Sequence, residues 1–209
     1  IETVQTAASP GGKDIVTLNE YDSFGRPYSV YRPVPTQTSS GAYASFASIN
    51  PELLKFYNWE VYTFSKTLYE DSPLDRPVEK YGPGSLWHTR GKSVRTEHLV
   101  NEATGALSCG LYLVSSDTSL TRSGVFPSGS LSVVKTTDED GDVTLSFTDR
   151  LGRKVLERRL DGDIRLDTHY VYDDLGLTRY VLTPEASAAM SSDGTFGDSS
   201  APVAGLSYV

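Results

Sequence analysis

The residues of this chain best suited to chemistry are aspartates, and they recur in one setting. An aromatic or small residue precedes the aspartate, two variable residues follow, then glycine and often arginine. The phrase stands at Asp22, Gly25 and Arg26, at Asp149, Gly152 and Arg153, and at Asp173 and Gly176. A weaker copy holds Asp138 and Gly141, and a degenerate one, Ser72-Pro73-Leu74-Asp75-Arg76-Pro77, holds Asp75 and Arg76. A carboxylate and a guanidinium at fixed spacing could serve acid–base work. The same order also has a mechanical explanation. The aspartate accepts hydrogen bonds from amides further along, two helical-region residues carry the chain round, and glycine supplies the positive φ that closes a type I turn with a G1 bulge. Turning alone therefore accounts for Asp and Gly. Arg26, Arg76 and Arg153 are expected to tie one hairpin to the next, by pairing with a neighbouring repeat's aspartate or stacking on a tyrosine.

Other candidates are weaker. His88, His98 and His169 share no metal-ligand spacing, and His98 and His169 lie in strand patterns as surface or satisfied core residues. Cys109 would need a histidine beside it to be a nucleophile; within Leu107–Tyr112 it reads as a small buried strand residue. Asp138, Asp140 and Asp142 alternate as calcium ligands do, but Gly141 comes too early for an EF-hand loop and no glutamate closes it. Asp161 and Asp163 flank Gly162 in another turn. The 27 acidic residues fall in turns or on alternating strand positions, so no glycosidase pair stands out. No phosphate-binding loop or nucleophile elbow occurs. Trp59 and Trp87, with tyrosines nearby, are candidates for stacking on a sugar, although sheet aromatics more often fill cores or pair across strands.

The elements that position these residues are strands. In 209 residues, 38% are hydrophobic and the 13 tyrosines outnumber other aromatics, which favours sheets with half-buried faces. A net charge of -8 without a basic run argues against nucleic acid or an anionic membrane as partner. One cysteine excludes an intrachain disulfide framework or a multi-cysteine zinc site, and no cofactor is expected. No run approaches the ~18 apolar residues of a membrane span, so membrane insertion is not expected, and no signal peptide is visible. Ile1–Gln5 reads as the outgoing strand of a hairpin lacking its turn and Gly205–Val209 as an incoming strand, so an excerpt of a longer protein is expected.

Along the chain, the first hairpin surrounds Asp22 to Gly25, and residues 34–50 form a loop. Asn50-Pro51-Glu52 predicts a short helix with Asn50 as its cap and Pro51 at its first position. Strand character then runs from Trp59 to Tyr69 and from Pro77 to Tyr81, and Gly82-Pro83-Gly84 breaks it. Val94–Val100 and Ala106–Val114 read as the two arms of a hairpin. From Ser130 to Leu182 the chain reads as a meander, and Thr183–Met190 as a second capped helix before a mobile loop.

Glu20 to Arg26, Tyr69 to Gly84, and Tyr170 to Gly176 leading into Leu182-Thr183-Pro184-Glu185-Ala186 together resemble the YD-repeat, or Rhs, proteins, specifically the amino-terminal repeat region of the Bacteroidetes type. The resemblance implies a long sheet that spirals into a hollow shell around a carboxy-terminal toxin or effector, or, in animal relatives, a barrel used in adhesion. Self-cleavage in that family uses aspartates near an Asp-Pro-x-Gly-Leu sequence. Asp173-Asp174-Leu175-Gly176-Leu177 lacks its proline and reads as an ordinary repeat.

The expectation is thus an all-β fold, a curved antiparallel meander of YD-type hairpins with two short helical insertions. Its regions are 1–32, the first hairpin; 33–58, loop and helix; 59–183, the meander; 184–200, helix and loop; and 201–209, a final strand. The expected function is structural and non-enzymatic: part of a secreted or cell-surface shell whose partners are the remaining repeats and terminal domain of its own chain. The alternative is a carbohydrate- or protein-binding adhesion module using residues 33–60 and the Tyr/Trp surface. A hydrolase comes third.

Overall fold

Alternating apolar residues between turn phrases fold as strands. The computed structural model describes residues 2–114, 119–192, 194–196 and 207–208. Within them the chain is antiparallel β-structure with three short helices, divided into two units, Ile1–Arg95 and Thr96–Val209.

The first unit contains β1 (Glu2–Gln5), β2 (Ile15–Tyr21), β3 (Pro27–Tyr31), β4 (Val34–Pro35), β5 (Phe64–Tyr69) and β6 (Pro77–Tyr81). The order is β1-β2-β3-β5-β6, and β4 also pairs with β2. Period-two alternation buries Val16 and Leu18 of β2 on one face, where they meet Tyr31, Val34 and the buried Ile49 and Leu53 of α1 (Phe46–Phe56). That helix starts before the expected Asn50. Ser45 is its cap, accepting from the Ser48 amide at 3.4 Å, and Pro51 lies inside it. The earlier turn is held by packing, since the Phe46 ring meets Tyr31 at 5.5 Å.

Two further expectations are corrected here. The strand after α1 begins at Phe64, because Asn58 and Trp59 adopt φ of 53° and 64° and reverse the chain. A helix not anticipated, α2 (Ser85–Thr89), follows Gly84, whose φ is 121°. It has no side-chain cap; His88 anchors it, stacked between Tyr62 at 4.4 Å and Tyr81 at 5.3 Å. With α2 the helical insertions number three rather than two. The strand β7 (Val94–Val100) starts at the end of this unit, pairing Val94 and Arg95 with Lys80 and Glu79.

In the second unit β7 neighbours β10 (Ser132–Thr137), followed by β11 (Val143–Thr148), β12 (Lys154–Asp161), β13 (Ile164–Tyr172), β14 (Thr178–Leu182) and β16 (Ser207–Tyr208). A separate small sheet runs β15 (Gly194–Phe196), β9 (Leu120–Val125), β8 (Gly110–Val114). The expected hairpin of Val94–Val100 with Ala106–Val114 therefore does not form. A 3-10 turn at Gly105–Leu107 intervenes, and Arg158 of β12 takes the carbonyls of Ala106 and Ser108 at 2.7 and 2.9 Å, turning that segment toward β9.

The second helix stands as expected, α3 (Pro184–Ala189), with Thr183 as cap and Pro184 first. Two clusters fill this unit, one of Cys109, Leu131, Val133, Leu145, Phe147 and Leu156, the other including Leu120, Val171, Tyr180, Leu182 and Met190. The loop expected after α3 lies largely outside the described residues. Among the described residues no helix is long and apolar enough to cross a membrane.

Candidate functional site

Each recurrent phrase builds the same turn from its aspartate. The Asp22 amide donates to the Arg26 carbonyl at 2.9 Å, and the Gly25 amide to the Asp22 carbonyl at 3.0 Å. Asp22 Oδ1 accepts from the amides of Phe24 and Arg26, both at 2.9 Å. The turns at Asp138, Asp149 and Asp173 repeat this bonding. Their glycines, Gly25, Gly141, Gly152 and Gly176, have φ of 80°, 96°, 80° and 81°. Only glycine enters that region without strain.

The other carboxylate oxygen is left for the arginine. Arg26 Nε donates to Asp22 Oδ2 at 2.7 Å and Arg153 Nε to Asp149 Oδ2 at 2.8 Å. Burial opposes the charge on Asp22 and Asp149, but the arginine's amide and guanidinium outweigh it and hold both carboxyls below the usual carboxylate range. Asp173 is held low first by the Leu177 amide, with Arg179 supplying the guanidinium at 2.8 Å from two residues further on.

The arginine also reaches the next hairpin. Arg26 Cζ lies 4.6 Å from the Tyr69 ring centroid, and Arg153 Cζ 4.8 Å from that of Tyr172. Each tyrosine hydroxyl returns a hydrogen bond to the residue after its arginine: Tyr69 to the Pro27 carbonyl at 3.0 Å, Tyr172 to the Lys154 carbonyl at 2.8 Å. Register explains the repetition. Pairing of Ser29 with Lys66 and of Leu156 with His169, extended along the strands, sets arginine opposite tyrosine in both places. A hairpin is thereby stapled to its successor by a guanidinium over a ring and a hydroxyl on a carbonyl.

The degenerate copy departs in an informative way. Asp75 stands where the other turns have glycine, at φ 53°, a region aspartate tolerates better than most residues. The carboxylate role falls to Glu70, whose amide donates to the Arg76 carbonyl at 3.1 Å and whose oxygens accept from Arg76 at 2.7 and 2.8 Å. Tyr69-Glu70 thus corresponds to Tyr21-Asp22, in a longer loop that pairs Tyr69 with Pro77 where the first pairs Tyr21 with Pro27.

Two polar hubs had no repeated phrase to mark them. Arg158, 4% exposed, faces Asp167 across the β12–β13 pair and grips it at 2.7 and 2.6 Å. Asp14, 1% exposed, accepts from the amides of Ala7 and Gly41 and the Thr38 hydroxyl, so its carboxyl lies below its ordinary range, the Ala7 amide being the largest influence.

The remaining candidates are dispersed. Trp59 is 73% exposed beyond α1, while Trp87 on α2 has Lys92 Nζ 5.6 Å from its ring. Cys109 is fully buried, and burial pushes its thiol up to about 12. Among the described residues no cluster of three or more His, Cys, Asp or Glu is placed to hold a metal. His169 is buried with Nδ1 3.0 Å from Ser187 Oγ and with Nε2 unpartnered, and burial pushes its pKa down to about 4.

Residues 1–100 match a family described as a domain of unknown function, DUF6443. No curated protein matches the chain.

Proposed function

We propose that this chain is a structural, non-catalytic segment of an Rhs/YD-repeat β-shell, secreted or displayed at a cell surface, that encloses or presents a carboxy-terminal toxin or effector. The observation that carries the reading is the staple built twice from one phrase, Arg26 on Tyr69 and Arg153 on Tyr172. A device that joins each hairpin to its successor serves a sheet that goes on growing, and it commits the motif's charged residues to one another instead of to a substrate. The resemblance supplies the shell and its cargo, which rest on analogy with the family. The test is the gene on both sides of this segment, followed by electron cryomicroscopy of its full product. Further Tyr-Asp-x-x-Gly-Arg phrases, a variable terminal domain and a hollow wall are expected; a product with neither further repeats nor an enclosed domain overturns the proposal.

A second reading, an adhesion module for carbohydrate or a surface protein, draws on exposed aromatics between residues 43 and 59: Tyr43 is 79% exposed, Phe56 55% and Trp59 73%. Glycan-array binding that Trp59→Ala abolishes would favour it; an array without signal counts against it.

A further inference from the structure

We propose that a cleft in the second unit binds a neutral, hydroxyl-rich ligand of monosaccharide size, with His169 Nε2 as the hydrogen-bond acceptor at its buried end. The cleft has a volume of about 370 Å³ and is lined by β8, by β13 and by the turns at Asp149 and Asp173. That is the lower end of the range for small-molecule sites.

His169 is 5% exposed and its Nε2 has no hydrogen-bond partner. The other ring nitrogen shows which form is present. Ser187 Oγ lies 3.5 Å from the Leu182 carbonyl and donates to it, so His169 Nδ1–H donates to Ser187 Oγ at 3.0 Å. Nε2 then carries a lone pair, and a buried lone pair without a donor is unfavourable. A ligand hydroxyl satisfies it.

Gly110 keeps the approach open. Its backbone is not left-handed, so conformational freedom does not explain glycine here; space does. A Cβ at Gly110 would stand 3.6 Å from His169 Nε2 and 3.2 Å from the Tyr112 ring. The surrounding charges select against ions of either sign. Asp149, Asp173 and Asp174 line the cleft and disfavour an anion, with Arg153 already committed to Asp149. Arg122 Nε would lie 3.4 Å from the same Cβ, and its charge, like that of Arg158, disfavours a cation at Nε2. Tyr112, Tyr170 and Tyr172 give the walls the amphipathic surface on which sugar rings pack.

The test is a titration of the whole 209-residue chain, labelled with nitrogen-15, with glucose, galactose and N-acetylglucosamine in turn. At least one is expected to move the His169 Nε2 resonance upfield and saturably, and Gly110→Ala should weaken that binding by about tenfold or more while the melting temperature holds. An Nε2 signal that no sugar moves, or that drifts without saturation, means an ordered water only and overturns the proposal. Saturable shifts that fall at Trp59 or Trp87 and spare His169 overturn it too. The unsubstituted protein's imidazole signal decides the matter even if Gly110→Ala fails to fold.

Discussion

Gly152 holds φ at 80° with open space where a Cβ would lie, so alanine there meets backbone strain and nothing else. Gly152→Ala should cost about 1–2 kcal/mol, seen as a lower urea midpoint with an unchanged slope. An unchanged midpoint would remove the turn argument. Two kinds of titrating residue then separate by pH. Burial depresses His169 from 6.5 to about 4, so the unfolded chain takes up its proton first as pH falls. Stability from neutral His169 is complete above 6.5 and declines until about 4, a loss of about 3 kcal/mol at ~1.4 kcal/mol per unit. The turn aspartates Asp22, Asp149 and Asp173 also have depressed folded pKa values, from 3.8, so their contribution is present above 3.8 and fades only below it. Urea midpoints measured across pH should show two declines. His169→Gln should flatten the upper one and leave the lower; a profile identical to that of the unsubstituted protein would contradict the assignment.

Between elements, the staple is the unit of cohesion. Arg153→Ala removes the guanidinium from Asp149 and Tyr172 together, at an expected cost of about 1–2 kcal/mol given its partial exposure. A double-mutant cycle with Tyr172→Ala should return a coupling of about 0.5–1 kcal/mol, and strict additivity would refute the tie between hairpins. Much of this was legible in the sequence, because turn chemistry is local: aspartate, glycine and the hairpins they close follow from residue type and spacing. That arginine would stack on a tyrosine was also expected, but which tyrosine depended on strand register. Glu70 in place of the motif aspartate was hidden by the longer loop, which drew attention to Asp75 instead. The pairing of β8 with β9 depends on Arg158, a residue distant in sequence from the carbonyls it holds. Helix α2 depends likewise on the rings of Tyr62 and Tyr81, and neither arrangement leaves a periodic trace.

At the scale of the whole molecule, the apolar core is divided in the same way as the chain. Val16, Val34, Ile49 and Leu53 form a cluster within Ile1–Arg95, whereas Leu131, Val133, Leu145, Phe147 and Leu156 form one within Thr96–Val209. Removing a buried side chain destabilises the cluster that holds it through lost transfer energy and the cavity left behind. Leu53 is 1% exposed, so Leu53→Ala should cost about 2–5 kcal/mol. Because Leu53 packs only into the first of these clusters, the penalty should appear as local opening of one unit before global unfolding. Amide hydrogen exchange tests this directly. The amides of β2 and β3 should exchange faster in Leu53→Ala, while those of Val133, Phe147 and Leu156 keep their protection. The reciprocal substitution, Phe147→Ala, should reverse the pattern, since Phe147 is fully buried in the second unit's cluster. Equal acceleration throughout the chain for either variant would mean that the two units unfold as one.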